Sequence, residues 1–163
     1  MSVAFYQTVA QLCFTLLGLW WLVLQTKYRE WIGDNDRRRM ATSVSLYFLL
    51  PGVMSLIALL GGGFPLLWRT AFLIASVLGA IETFYAWRRG GRRARRLVRV
   101  GQWVGFALYI VIALIALIPG IALFGQFLDP AVTAELCLAL IVTLGALLAW
   151  GYFLDQPVAT IER

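Results

Sequence analysis

Residues 66–87 read LLWRTAFLIASVLGAIETFYAW, and residues 88–99 continue as RRGGRRARRLVR. The first stretch is long enough to cross a bilayer, because the hydrocarbon core needs about 20 apolar residues at 1.5 Å of helix each. The second is an arginine block, and an excess of Lys and Arg in a short loop marks the cytoplasmic side of a membrane. Glu82 lies between them and is the one acidic residue that falls well inside an apolar segment. This pattern, a spanning helix that runs directly into a basic loop, sets the reading of the whole chain.

Working outward, similar apolar runs occupy about 3–24, 41–60, 100–124 and 131–153. With 66–87 they make five spans, and the chain of 163 residues has little left for anything outside the membrane. The expected fold class is all-α, a polytopic five-transmembrane-helix bundle forming a single integral membrane domain over 1–163. Composition agrees. Apolar residues make up 61% and charged residues 13%, against about 25% charged in soluble domains.

The net charge of +6 is concentrated rather than spread. Lys27, Arg29, Arg37, Arg38 and Arg39 fall in the basic loop at 25–40; Arg88, Arg89, Arg92, Arg93, Arg95, Arg96 and Arg99 fall in the one at 88–99. Only Arg69 and Arg163 lie elsewhere. Both loops are therefore expected in the cytoplasm of a plasma (cytoplasmic) membrane, with the N-terminus outside and the C-terminus inside. The aromatics follow the same division: Trp20, Trp21, Trp87, Trp103 and Trp150 on the inner side, Phe64, Trp68 and Phe127 on the outer. The N-terminal run lacks a basic n-region and is long, so it reads as a membrane helix rather than a secretory signal.

Several function classes are excluded by what is missing. There is no histidine, which removes His-ligated haem, most zinc sites and any Ser/His/Asp or Cys/His nucleophile. Cys13 and Cys137 have no metal-ligand spacing. Asp34-Asn35-Asp36 matches only the start of a calcium loop, without the glycine and terminal glutamate such a loop requires; Asp34 or Asp36 is better placed to cap the second helix. No catalytic residue, metal site or cofactor is expected. Nucleic acid is not an expected partner either, since no binding fold accompanies the charge.

Three features remain as candidates. In the first span Thr8, Gln11, Thr15, Gly18 and Gln25 recur at helical steps, with Leu22 filling one, and form a polar stripe. Such a stripe is expected to turn toward protein or water, because hydrocarbon leaves polar groups unsatisfied. Glu82 shares a helix face with Ala71, Ala75 and Gly79, so it is expected to look into the bundle; Arg89, two turns further on, is the guanidinium best placed to pair with it. An ionisable residue inside a membrane marks a functional site by default. The third feature is the arginine block, where clustered basic side chains attract anionic headgroups at about 1 kcal/mol each.

Smaller signals complete the reading. Pro51 should kink the second helix. Gly101 and Gly105 form a GxxxG pair at the inner end of the fourth span, a weak dimerisation signal. Leu50-Pro51-Gly52 and Val77-Leu78-Gly79-Ala80 are echoed by Ile118-Pro119-Gly120 and Thr143-Leu144-Gly145-Ala146, as a duplicated hairpin would produce.

Two functions from different classes follow. The first is a non-catalytic interaction or accessory subunit, a homo-oligomer or bound to a membrane-protein partner. Its basic face (Arg88, Arg89, Arg92, Arg93, Arg95, Arg96, Arg99) would contact anionic lipid or that partner. The second is a small oligomeric ion channel or transporter, with Glu82, Gln11 and Thr15 along its route. A dry core beside Glu82 favours the first; a water-filled cavity or a symmetry axis touching Glu82 favours the second.

Overall fold

The described residues form five helices: α1 (Val3–Trp31), α2 (Asn35–Leu60), α3 (Pro65–Arg89), α4 (Arg96–Leu117) and α5 (Pro130–Leu154). The computed structural model describes residues 2–31, 35–61, 65–89, 96–118 and 130–154, with no strand among them. Each helix contains a window long and apolar enough to cross a membrane: Val3–Thr26, Ala41–Leu60, Leu66–Arg88, Arg99–Leu117 and Ala131–Gly151. The all-α, five-helix architecture expected from the sequence is the one formed.

Local chemistry explains the boundaries. α3 and α5 both begin on proline, whose missing N–H is one of the donors a first turn leaves unpaired. α2 ends where the Gly61 N–H closes on the Ile57 carbonyl at 2.7 Å. α4 stops at Leu117, short of the expected end near 124. Ile118 precedes Pro119, and a proline ring pushes the residue before it out of the helical region; the Ile118 N–H still reaches the Leu114 carbonyl at 3.0 Å and closes the last turn. α1 instead runs past residue 24 as far as Trp31. Asp36 is the second residue of α2 rather than its cap, and Asp34 lies outside the described residues.

Pro51 is buried inside a helix that continues on both sides of it. With no N–H at Pro51, the Tyr47 carbonyl loses its helical donor. Pro119 and Gly120, the counterparts of Pro51 and Gly52 in the sequence echo, lie outside the described residues.

α2, α3, α4 and α5 pack round in a ring in that order, with α5 returning to α2. α1 lies along α2 and barely touches α5. The ring is filled by Met54, Phe72, Tyr109, Ile112, Leu138 and Ile141, all essentially inaccessible. A second, smaller cluster of Leu17, Trp20, Ala41, Val44 and Phe48 seals α1 against α2. There the Trp20 indole N–H donates to the Ala41 carbonyl at 3.1 Å, and the same oxygen accepts the Ser45 hydroxyl at 3.0 Å. At the other end of α1 the Ser2 backbone N–H donates to a Glu135 carboxylate oxygen at 3.0 Å, tying the start of the chain to α5.

The outward surface is apolar on every helix, including Leu19, Leu56, Ile74, Leu78, Ile110, Leu140 and Leu147. Soluble monomers do not display apolar surface on this scale; helices that face lipid do. Lipid tails are as apolar as leucine, so such a bundle is held by close packing and interhelical hydrogen bonds rather than by expulsion from water. Close packing is where the chain's mid-helix glycines matter.

Candidate functional site around Glu82

Tyr47, Glu82, Gly105 and Gly145 each stand six positions in from the end of their apolar windows at Ala41, Arg88, Arg99 and Gly151 respectively. At 1.5 Å per residue the four lie at a common depth of about 9 Å from those ends. The register of the antiparallel ring thus assembles one layer from four helices.

The layer is built by glycines that make room for two tyrosines. A Cβ on Gly105 would meet the Tyr47 hydroxyl oxygen below contact distance, and one on Gly145 would sit 2.9 Å from the Tyr47 Cβ. One helical turn deeper, a Cβ on Gly79 would approach three ring carbons of Tyr109 at 2.5–2.7 Å. The Tyr47 and Tyr109 rings lie 6.3 Å apart, tilted at 48°, and both side chains are buried. Glycine in a soluble helix costs about 1 kcal/mol against alanine; here it is the residue that lets a ring lie against a helix backbone.

Gly79 belongs to the small-residue face of α3, and that face packs as expected, but onto the Tyr109 ring rather than a neighbouring backbone. The GxxxG pair of α4 is likewise used within the chain. Gly101 faces Leu148 and Leu144 of α5, and Gly105 faces Tyr47. It is not a free dimerisation face.

Glu82 sits at the rim of this layer. It is half-buried, while its neighbours Ala80 and Thr83 are buried. The Thr83 hydroxyl is satisfied by the Gly79 and Ala80 carbonyls at 2.8 and 3.0 Å. Glu82 is close enough to Tyr47 to act on its hydroxyl electrostatically, yet that hydroxyl is buried without a hydrogen-bond partner. Among the described residues no hydrogen bond or ion pair reaches the Glu82 carboxylate. The side chain of Arg89, the partner offered by the sequence, lies outside the described residues.

The polar stripe of α1 does not turn toward the other helices of the chain. Tyr6, Val9, Ala10, Cys13, Leu17 and Trp20 are its buried residues, whereas Thr8, Gln11, Thr15, Gly18, Leu22 and Gln25 are all exposed. The stripe faces away from the rest of the chain and is not joined to Glu82.

At the basic end, Arg88 closes the third apolar window and Arg99 opens the fourth, both exposed. Arg89 ends α3 and Arg96 begins α4; Arg92, Arg93 and Arg95 fall outside the described residues. Next to Arg88 and Arg99 the two helices share a closed set of four rings. Trp87 and Trp103 are 5.0 Å apart and edge-on, Phe84 lies 5.9 Å from Trp87, and Phe106 lies 6.1 Å from both Phe84 and Trp103. Aromatic side chains beside cations are the arrangement that anchors a helix end at the headgroup level.

Among the described residues no three His, Cys, Asp or Glu side chains come together to hold a metal, and Cys13 and Cys137 are free, buried cysteines. The tyrosine layer itself escaped sequence reasoning. Gly79, Gly105 and Gly145 were each visible as small residues in apolar runs, but nothing in one dimension pairs them with Tyr47 and Tyr109.

No model of a known protein family matches the chain, nor does any curated protein or solved structure.

Proposed function

We propose that this five-helix membrane protein is a non-catalytic interaction or accessory subunit whose basic end contacts anionic lipid headgroups. The observation that carries this reading is the filled layer at the depth of Glu82. A route through the ring would have to pass Tyr47 and Tyr109, and both rings are pressed against helix backbone at glycine. The groups left available for contact point outward: Arg88 and Arg99 beside the aromatic set, and the stripe of α1. On this reading the arginine-rich segments lie in the cytoplasm, and Glu82 is a structural carboxylate at the inner rim of the bundle rather than a transport site.

The test is retention of lipid on purification. Replacing Arg92, Arg93, Arg95 and Arg96 with Gln should lower the anionic lipid that co-purifies, read by mass spectrometry. Cysteines introduced at Gly62 and Arg93 should still label from opposite faces of the membrane. Unchanged lipid retention in a correctly inserted variant would leave the arginines as orientation signals only, and the proposal would fall.

A further inference from the structure

The exposed stripe of α1 has a chemistry that a bilayer does not satisfy. Gln11 and Thr15 lie well within the window Val3–Thr26. Thr8 returns its hydroxyl to the Ala4 carbonyl at 2.8 Å, but no such bond joins the Gln11 or Thr15 side chain to another described residue. A carboxamide facing lipid carries two donors and one acceptor oxygen with nothing to meet them. Beside it, a Cβ on Gly18 would find nothing within 4 Å, so the helix backbone is open to close approach at that point. Leu12, Leu19 and Leu22 flank the stripe and are themselves exposed.

We infer that this face of α1 is the contact with a second copy of the chain, related by a two-fold axis along the membrane normal. The stripe is self-complementary in a way that selects this partner. It carries no charge within the membrane window, so it calls for no oppositely charged helix. Its groups are each both donor and acceptor, so Gln11 can close a reciprocal pair of hydrogen bonds with another Gln11. Copies that insert in the same direction place identical residues at identical depth. A two-fold contact then sets Gln11 against Gln11 and Gly18 against Gly18, as an isologous interface requires. The small residue at Gly18 allows the close approach and the carboxamide supplies the hydrogen bonds, the two devices by which membrane helices associate. Gly79, Gly101, Gly105 and Gly145 all pack inside the chain, and the other open glycine, Gly151, lies at the very end of its apolar window. α1, which packs chiefly on α2, has a side left over.

The inference is independent of the lipid reading, since the stripe and the arginine block are on different helices. The experiment is disulfide cross-linking in native membranes. Cys13 and Cys137 are buried, so the otherwise unsubstituted chain serves as background. Thr15→Cys and Gly18→Cys should each give a cross-linked species of twice the chain mass under mild oxidation. Leu78→Cys on α3 and Leu140→Cys on α5, exposed on other faces, should not. Gln11→Leu in the Gly18→Cys background should reduce the cross-linked fraction about fivefold or more. Stripe cysteines that cross-link no better than Leu78→Cys would overturn the inference, as would cross-links that form only to a different protein. A cross-linked fraction unmoved by Gln11→Leu would remove the carboxamide from the contact.

Discussion

The tyrosine layer makes a sharp prediction, because one oxygen atom decides it. In Gly105→Ala the new Cβ meets the Tyr47 hydroxyl oxygen below contact distance, with the ring carbons Cζ and Cε1 next at 3.0 and 3.1 Å. The ring cannot retreat, since Gly145 already confines the Tyr47 Cβ on another side. Overpacking of this kind costs about 1–3 kcal/mol, and alanine returns about 1 kcal/mol of helix propensity on the soluble scale. The expected net loss is up to about 2 kcal/mol. Tyr47→Phe alone should be neutral or stabilising, because it deletes a buried hydroxyl that has no hydrogen-bond partner, a group whose burial carries a penalty of about 1–3 kcal/mol. Combining the two removes the offending oxygen and leaves ring contacts that need a shift of only a few tenths of an ångström. The double variant should therefore recover most of the loss, a coupling of about 1–2 kcal/mol. Unfolding free energies in mixed micelles of rising denaturing-detergent fraction would measure all four proteins. Gly151→Ala, where a Cβ meets nothing within 4 Å, is the control. Additivity of the two substitutions within about 0.5 kcal/mol would refute the packing argument.

Two further outcomes are expected from the same assay. Trp20→Phe should lose about 1–2 kcal/mol, since it deletes the buried indole donor to Ala41 at 3.1 Å while the ring's packing is largely kept; a neutral result would show that this bond does not hold α1 to α2. Glu82→Gln should change stability by less than about 0.5 kcal/mol, because the replacement is nearly isosteric and no described residue is left without a partner. It should also leave the ion leak of proteoliposomes unaltered. A leak that disappears in the variant would reverse the assignment of Glu82 to a structural role.

Five apolar windows and the two arginine-rich segments were legible in the sequence, because each depends on composition over one contiguous stretch. The helix count follows from bilayer thickness and rise per residue, and neither involves a contact between helices. The end of α4 was read near residue 124 from the length of the apolar run, although it falls at Leu117, where Ile118-Pro119 stops the helix by a local steric rule. What the chain could not disclose is which side of each helix is taken. Gln11 and Thr15 form a regular stripe whichever way α1 turns, and only the burial of Tyr6, Cys13, Leu17 and Trp20 against the other helices sends the stripe outward. Gly79, Gly105 and Gly145 look alike as isolated small residues. They acquire a role when the register of four antiparallel helices sets Gly105 and Gly145 against the ring of Tyr47 and Gly79 against that of Tyr109. Depth along a helix is additive in residue number and can be read from one dimension. Rotation about the helix axis is settled by competition among neighbours, and that competition exists only once the helices are packed.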